Sequence, residues 1–177
     1  PNRFFDEKFA SDVNQAQWTP VSGEWRFEPG ALVQQKADGY DYSTLYATQF
    51  AQFSALVRFR HQKGSGGGVL FNMPDVGSKK NGHMVRYFEN NLLVWGYFDA
   101  KGVFVGQGNL KVAAPGDQAH TLEIMADNAT YRILLDNQLV TENMPLMNKQ
   151  GYIGLTASQS VVAFEEVKVT AFTPVQK

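Results

Sequence analysis

The chain has 177 residues, sixteen Lys and Arg against seventeen Asp and Glu for a net charge of -1, and no cysteine. That balance, with no run of like charges, argues against nucleic acid or an anionic membrane surface as partner. The missing thiols exclude disulfides, thiolate zinc sites and cysteine nucleophiles, and the length suffices for a core that needs no such staple.

At this length the chain is expected to be a single domain, 1–177, and its start at Pro1 rather than Met suggests one excised from a larger protein. Near its start only Val13 to Gln17 can form a turn or so of helix, leading into Trp18. From there turn signals recur about every ten residues, at Pro29-Gly30, Asp38-Gly39, Pro74-Asp75, Asn81-Gly82, Pro115-Gly116 and Asp136-Asn137. Between them, segments such as Ala55 to Arg60 and Glu165 to Val169 alternate apolar and polar residues with period two. Gly64 to Gly68 joins two such segments and reads as a hairpin tip. The apolar run Asn91 to Phe98 is only a strand long, so it cannot span a bilayer. No repeat of blade or solenoid length occurs. The expectation is all-β, about 12–14 strands in a two-sheet antiparallel sandwich, with almost no helix.

Parity along the central strands divides the residues. Ala55, Val57, Phe59, Val69, Phe71, Met73, Val85, Tyr87, Val94, Phe98, Leu122, Ile124, Tyr131, Ile133 and Leu135 form an apolar side, the layer between sheets. The opposite parity carries Arg58, Arg60, Asn72, Arg86, Trp95, Tyr97 and Glu123. Such a face suits a sugar, because aromatic rings pack on the C–H face of a pyranose while guanidinium, amide and carboxylate groups bond its hydroxyls. The arginines favour a uronic acid, whose carboxylate a guanidinium can grip at two points. Arginine stems covering Trp95 and Tyr97 in a cation-π ladder would present the same pattern without a ligand.

The series Phe5-Asp6-Glu7-Lys8-Phe9, Trp18, Gly23 to Phe27, Phe53 to Phe59, Gly67 to Phe71, His120 to Ile124, Tyr131 to Asn137, Gly151 to Leu155 and Phe164 to Val169 covers nearly the whole chain. It resembles the laminin-G-like and 3-keto-disaccharide-hydrolase-like domains of the concanavalin A-like superfamily. The resemblance implies a jelly roll with carbohydrate on a concave sheet, in an extracellular, cell-surface or periplasmic bacterial protein. It also implies a structural calcium ion tying the first and last strands, with Asp6 and Glu165 at the matching positions.

Function from residues points first to a non-catalytic, lectin-like carbohydrate-binding domain. An enzyme of the 3-keto-disaccharide-hydrolase type and a structural or adhesion module that binds another protein are the alternatives. The Glu-x-Asp-x-Glu triplet of the related glucanases is missing, and Glu123 is the best-placed lone carboxylate. His61, His83 and His120 lack zinc spacing and read as scattered polar residues. Asp38, Gly39 and Asp41 make an oxygen-rich loop that reads more simply as an Asp-Gly turn.

Overall fold

Of the expected 1–177 domain, the computed structural model describes residues 5–171. Strand β1 (Phe5–Glu7) is followed by a single 3-10 turn at Gln15–Gln17, then by β2 (Trp18–Ser22), β3 (Trp25–Glu28), β4 (Ala31–Gln34) and β5 (Tyr42–Ala51). The middle of the chain forms β6 (Phe53–Lys63), β7 (Gly68–Met73), β8 (His83–Phe88), β9 (Leu92–Phe98) and β10 (Phe104–Lys111). The last strands are β11 (Ala119–Ala126), β12 (Thr130–Leu135), β13 (Gln138–Pro145), β14 (Gln150–Ala157) and β15 (Val161–Ala171). The turn at Gln15–Gln17 falls where the sequence placed it, and the strands among the described residues slightly exceed the expected number.

They form two antiparallel sheets. Sheet A runs β13-β12-β11-β6-β15-β4-β3, with β1 also paired to β15; sheet B runs β10-β9-β8-β7-β14-β5-β2. Both contain three- or four-strand meanders, which tight turns permit. The Asp136-Asn137 turn has positive φ at both residues (49° and 66°), the two-residue geometry whose twist matches a hairpin, and it joins β12 to β13 with Leu135 opposite Gln138. Elsewhere the chain changes sheet. Gln52, at φ 50°, is the single residue between β5 in sheet B and β6 in sheet A.

Gly64 to Gly67 is another such crossing and corrects the hairpin expectation: β6 belongs to sheet A and β7 to sheet B, so the glycines bridge the sandwich instead of turning within a sheet. Gly66 adopts φ 149°, which only glycine tolerates readily. The arch is anchored from inside. His61 Nε2 accepts the N–H groups of Gly66 and Gly67 at 3.2 and 3.0 Å.

Alternating residues of both sheets meet in one apolar core that includes Val57, Phe59, Ile124, Ile133 and Phe164 from sheet A and Val69, Phe71, Val85, Ile153 and Leu155 from sheet B. Two histidines are part of it, contrary to their expected role as scattered polar residues. His83 is fully buried, stacked on Phe71 with centroids 5.1 Å apart and edge-on to Tyr131 at 5.0 Å. Its Nδ1 faces the Gly96 carbonyl at 3.1 Å and its Nε2 accepts the Met147 N–H at 3.0 Å, which a neutral ring with the proton on Nδ1 satisfies. Buried Gln34 likewise spends its amide on the carbonyls of Lys36 and Ser160 and receives the Lys36 N–H, closing the end of β4 against the β14–β15 connection.

Candidate functional site

The outer face of sheet B carries a charged cluster on an apolar bed. Arg86 points outward from β8, across Gly68 of β7 and toward Thr156 of β14, which share its register row. A side chain at Gly68 would overlap the Val85 carbonyl oxygen, so glycine lets these backbones approach. Arg86 is only 5% exposed. Its Nη2 donates to Thr156 Oγ1 and, at 3.2 Å, to Asp41 Oδ1; Nη1 donates to the Tyr40 carbonyl at 3.3 Å. Nε has no partner among the described residues.

Asp41 also pairs with Lys79, delivered by the loop between β7 and β8. Asp75 ties that loop by accepting the N–H groups of Gly77 and Ser78 at 2.7 and 2.6 Å, and the Asn81 N–H bonds to the Phe98 carbonyl at 2.8 Å. Lys79 thereby lies 5.1 Å over the Phe98 ring. Burial, reinforced by the neighbouring Arg86 charge, pulls the Lys79 pKa below the ordinary lysine value. Beneath the cluster, Leu45, Leu70, Met73, Met84 and Phe98 form a second apolar group, separate from the inter-sheet core. The cluster thus opposes two cations to one carboxylate over an apolar floor.

The seven residues expected on one face are divided by the structure. Arg86 is at the cluster. Asn72 is buried on β7 and clasps the chain ahead of β14, donating to the Asn148 carbonyl at 2.6 Å while the Asn148 amide donates back to the Asn72 carbonyl at 3.0 Å. Arg58 and Arg60 belong to the opposite sheet and pair there with Glu165 at 3.5 and 3.8 Å. Glu123 is on sheet A too, accepting a bond from Ser54 Oγ at 3.3 Å.

Trp95 requires the clearest correction. On β9 it opposes Val85 and turns into the core, 5% exposed, while Val94 and Phe98 face outward. Met73 departs from the expected inter-sheet layer in the same way. Tyr97 opposes His83 and leans toward it, with centroids 6.2 Å apart. We therefore expect Trp95→Ala to lower stability by about 3–5 kcal/mol through the cavity it opens. Any ligand affinity of the folded fraction should stay unchanged, a distinction that chemical denaturation and calorimetric titration of the variant would measure.

The calcium expectation does not fit the residues present. Glu165 is engaged by two arginines, and Asp6 opposes Lys168 with Lys8 at 3.9 Å, so cations of the protein already surround both carboxylates. Among the described residues, no group of three or more His, Cys, Asp or Glu side chains could hold a metal ion.

Sequence reasoning missed Lys79 altogether and met Asp41 only as part of an Asp-Gly turn. Asp38 of that turn does play the local part, accepting the Tyr42 hydroxyl at 2.6 Å, which pushes the phenol up to about 12 and lowers the carboxyl.

Two facing antiparallel sheets, crossed repeatedly by the chain, define a jelly-roll sandwich of the concanavalin A-like kind. The chain belongs to the 3-keto-alpha-glucoside-1,2-lyase-like domain family, whose model matches residues 2–170. No curated protein matches the sequence. Among solved structures it is similar to the carbohydrate binding module CBM66 from Bacillus subtilis, at TM-score 0.78 and 19% identity over 88% of this chain and 96% of that one. The metal-free Emp46p carbohydrate recognition domain superposes at TM-score 0.68 and 16% identity, covering 92% of each chain. The apo Crh5 transglycosylase does so at 0.72 and 13%, covering 97% of this chain and 85% of that one. Identities this low establish a common fold and leave activity to the site.

Proposed function

We propose that this domain binds carbohydrate without transforming it, as part of an extracellular, cell-surface or periplasmic protein, and that Arg86, Asp41 and Lys79 receive a uronate-bearing glycan. The observation that carries the reading is the charge of the cluster: two cations share one carboxylate over a buried apolar floor. A sugar carboxylate there would balance the cluster. The binding module and recognition domain among the structural neighbours support a carbohydrate partner.

The test is a glycan array followed by titration calorimetry on wild type and Lys79→Met, a change at a half-buried loop residue that the fold should tolerate. Uronate glycans are expected to bind at least tenfold more weakly to the variant. Equal affinity for uronate and neutral glycans, or no glycan bound by the folded domain, overturns the reading.

The family match favours a second reading, elimination from a 3-keto-glucoside. Such a reaction removes the C2 hydrogen, acidified by the adjacent ketone, to a base as the C1–O bond breaks and its electron pair departs with the aglycone oxygen. Asp41 is the carboxylate base of the cluster placed to take that proton, and the paired Lys79 ammonium is the group suited to protonate the departing oxygen. Release of aglycone from a 3-keto-α-glucoside by wild type, abolished in Lys79→Met, would replace simple binding by this chemistry.

A further inference from the structure

We propose that a recess beside Arg86 is a second sugar subsite, so that this face takes an oligosaccharide in which a uronate is joined to a neutral unit. The inference rests on the carbohydrate reading above and adds the length and charge order of the ligand. The recess has a volume of about 410 Å³, room for one pyranose, and its lining includes Tyr40, Ser65, Phe88, Glu89, Asn90 and Gln159.

It adjoins the charged cluster through two elements. Arg86 and Phe88 alternate on the same side of β8, about 7 Å apart at the rise of a strand. Tyr40, which lines the recess, gives its carbonyl to the Arg86 guanidinium. Tyr40 is 73% exposed, a large aromatic residue held in water beside a recess, which is the placement a stacked sugar needs. Glu89, Asn90 and Gln159 supply hydroxyl partners around it.

The walls are set in advance. Gln159 donates its N–H to the Gly39 carbonyl at 2.7 Å, and Ser158 donates to the Gly66 carbonyl at 3.0 Å, so the loops carrying Tyr40, Ser65 and Gln159 brace one another. Buried His61 fixes the Gly66 side from within. A site ordered before its ligand arrives loses less entropy on binding.

Charge decides the order of the units. No Lys or Arg lines the recess and Glu89 does, so it would repel a uronate, whereas the Arg86–Lys79 cluster would attract one. A homopolymer of uronates therefore gains nothing from the second subsite, and a mixed oligosaccharide does.

Calorimetric titration can test this with glucuronate, digalacturonate, a glucuronosyl-xylose aldobiouronate and a hyaluronan tetrasaccharide, against wild type, Tyr40→Ala and Tyr40→Phe. At least one mixed ligand is expected to bind wild type about tenfold or more tightly than glucuronate, with no comparable gain for digalacturonate. The gain should disappear in Tyr40→Ala and persist in Tyr40→Phe. Mixed ligands no better than glucuronate, or a gain that survives Tyr40→Ala, would sink the second subsite and leave the first standing. If no uronate binds at all, the carbohydrate reading fails and takes the subsite with it.

Discussion

Replacing Asp41 by alanine is expected to cost about 3–5 kcal/mol of folding stability, although its side chain is partly open to solvent. The loss arises on the partner. Arg86 would remain buried with its charge unbalanced, bonded only to Thr156 and the Tyr40 carbonyl, and with like-charged Lys79 nearby. Removing one member of a buried pair is far more damaging than removing both, so Asp41→Ala/Arg86→Met should recover most of the lost stability. Urea unfolding of the two variants beside wild type measures both effects. A single variant within 1 kcal/mol of wild type would show that water, and not Asp41, balances the guanidinium.

The expected sandwich rested on residues whose signals are local, and the division of the face came from information that is not. Val57 and Ile124 alternate with polar neighbours, so their inward direction can be read within one strand. From Leu92 to Phe98 both parities are apolar, and nothing inside that run tells which side faces the core. The pairing of Arg86 with Val94 decides it, because a buried charge marks the outer face and its antiparallel partner must share that side. Arg58 and Arg86 have equivalent patterns within their own strands, yet one stands on sheet A and the other on sheet B. Strand parity separates inside from outside and carries no label for which outside. Lys79 and Asp41 were hidden for a related reason: both sit in connections, and their meeting depends on how two loops fold over sheet B.

The second large effect is with pH. His61 and His83 are buried, and burial holds each near a pKa of about 4, below the ordinary histidine value of about 6.5; for His61 the His120 charge adds to the burial, and for His83 the Gly96 carbonyl opposes it. Between those values the unfolded chain binds protons that the folded chain refuses, so acid favours unfolding. The stability is fully present above about pH 6.5 and is lost as pH falls toward 4. Each histidine contributes on the order of 3 kcal/mol at most. Urea midpoints measured from pH 7.5 to 4 should therefore fall steeply below 6.5. His61→Gln, which keeps an acceptor for the Gly66 and Gly67 N–H groups, should flatten part of that slope. A midpoint unchanged down to pH 5 would mean that both rings protonate without unfolding.

The strand order also bears on how the chain comes to be folded as it is made. In sheet A, β15 lies between β6 and β4; in sheet B, β14 lies between β7 and β5. Each sheet is therefore left in two unconnected parts until residues 150–171 have been added, so a chain growing from its N-terminus carries exposed strand edges through most of its synthesis. Those residues act as the keystone of both arches, and the nascent domain stays open to wrong partners until they arrive.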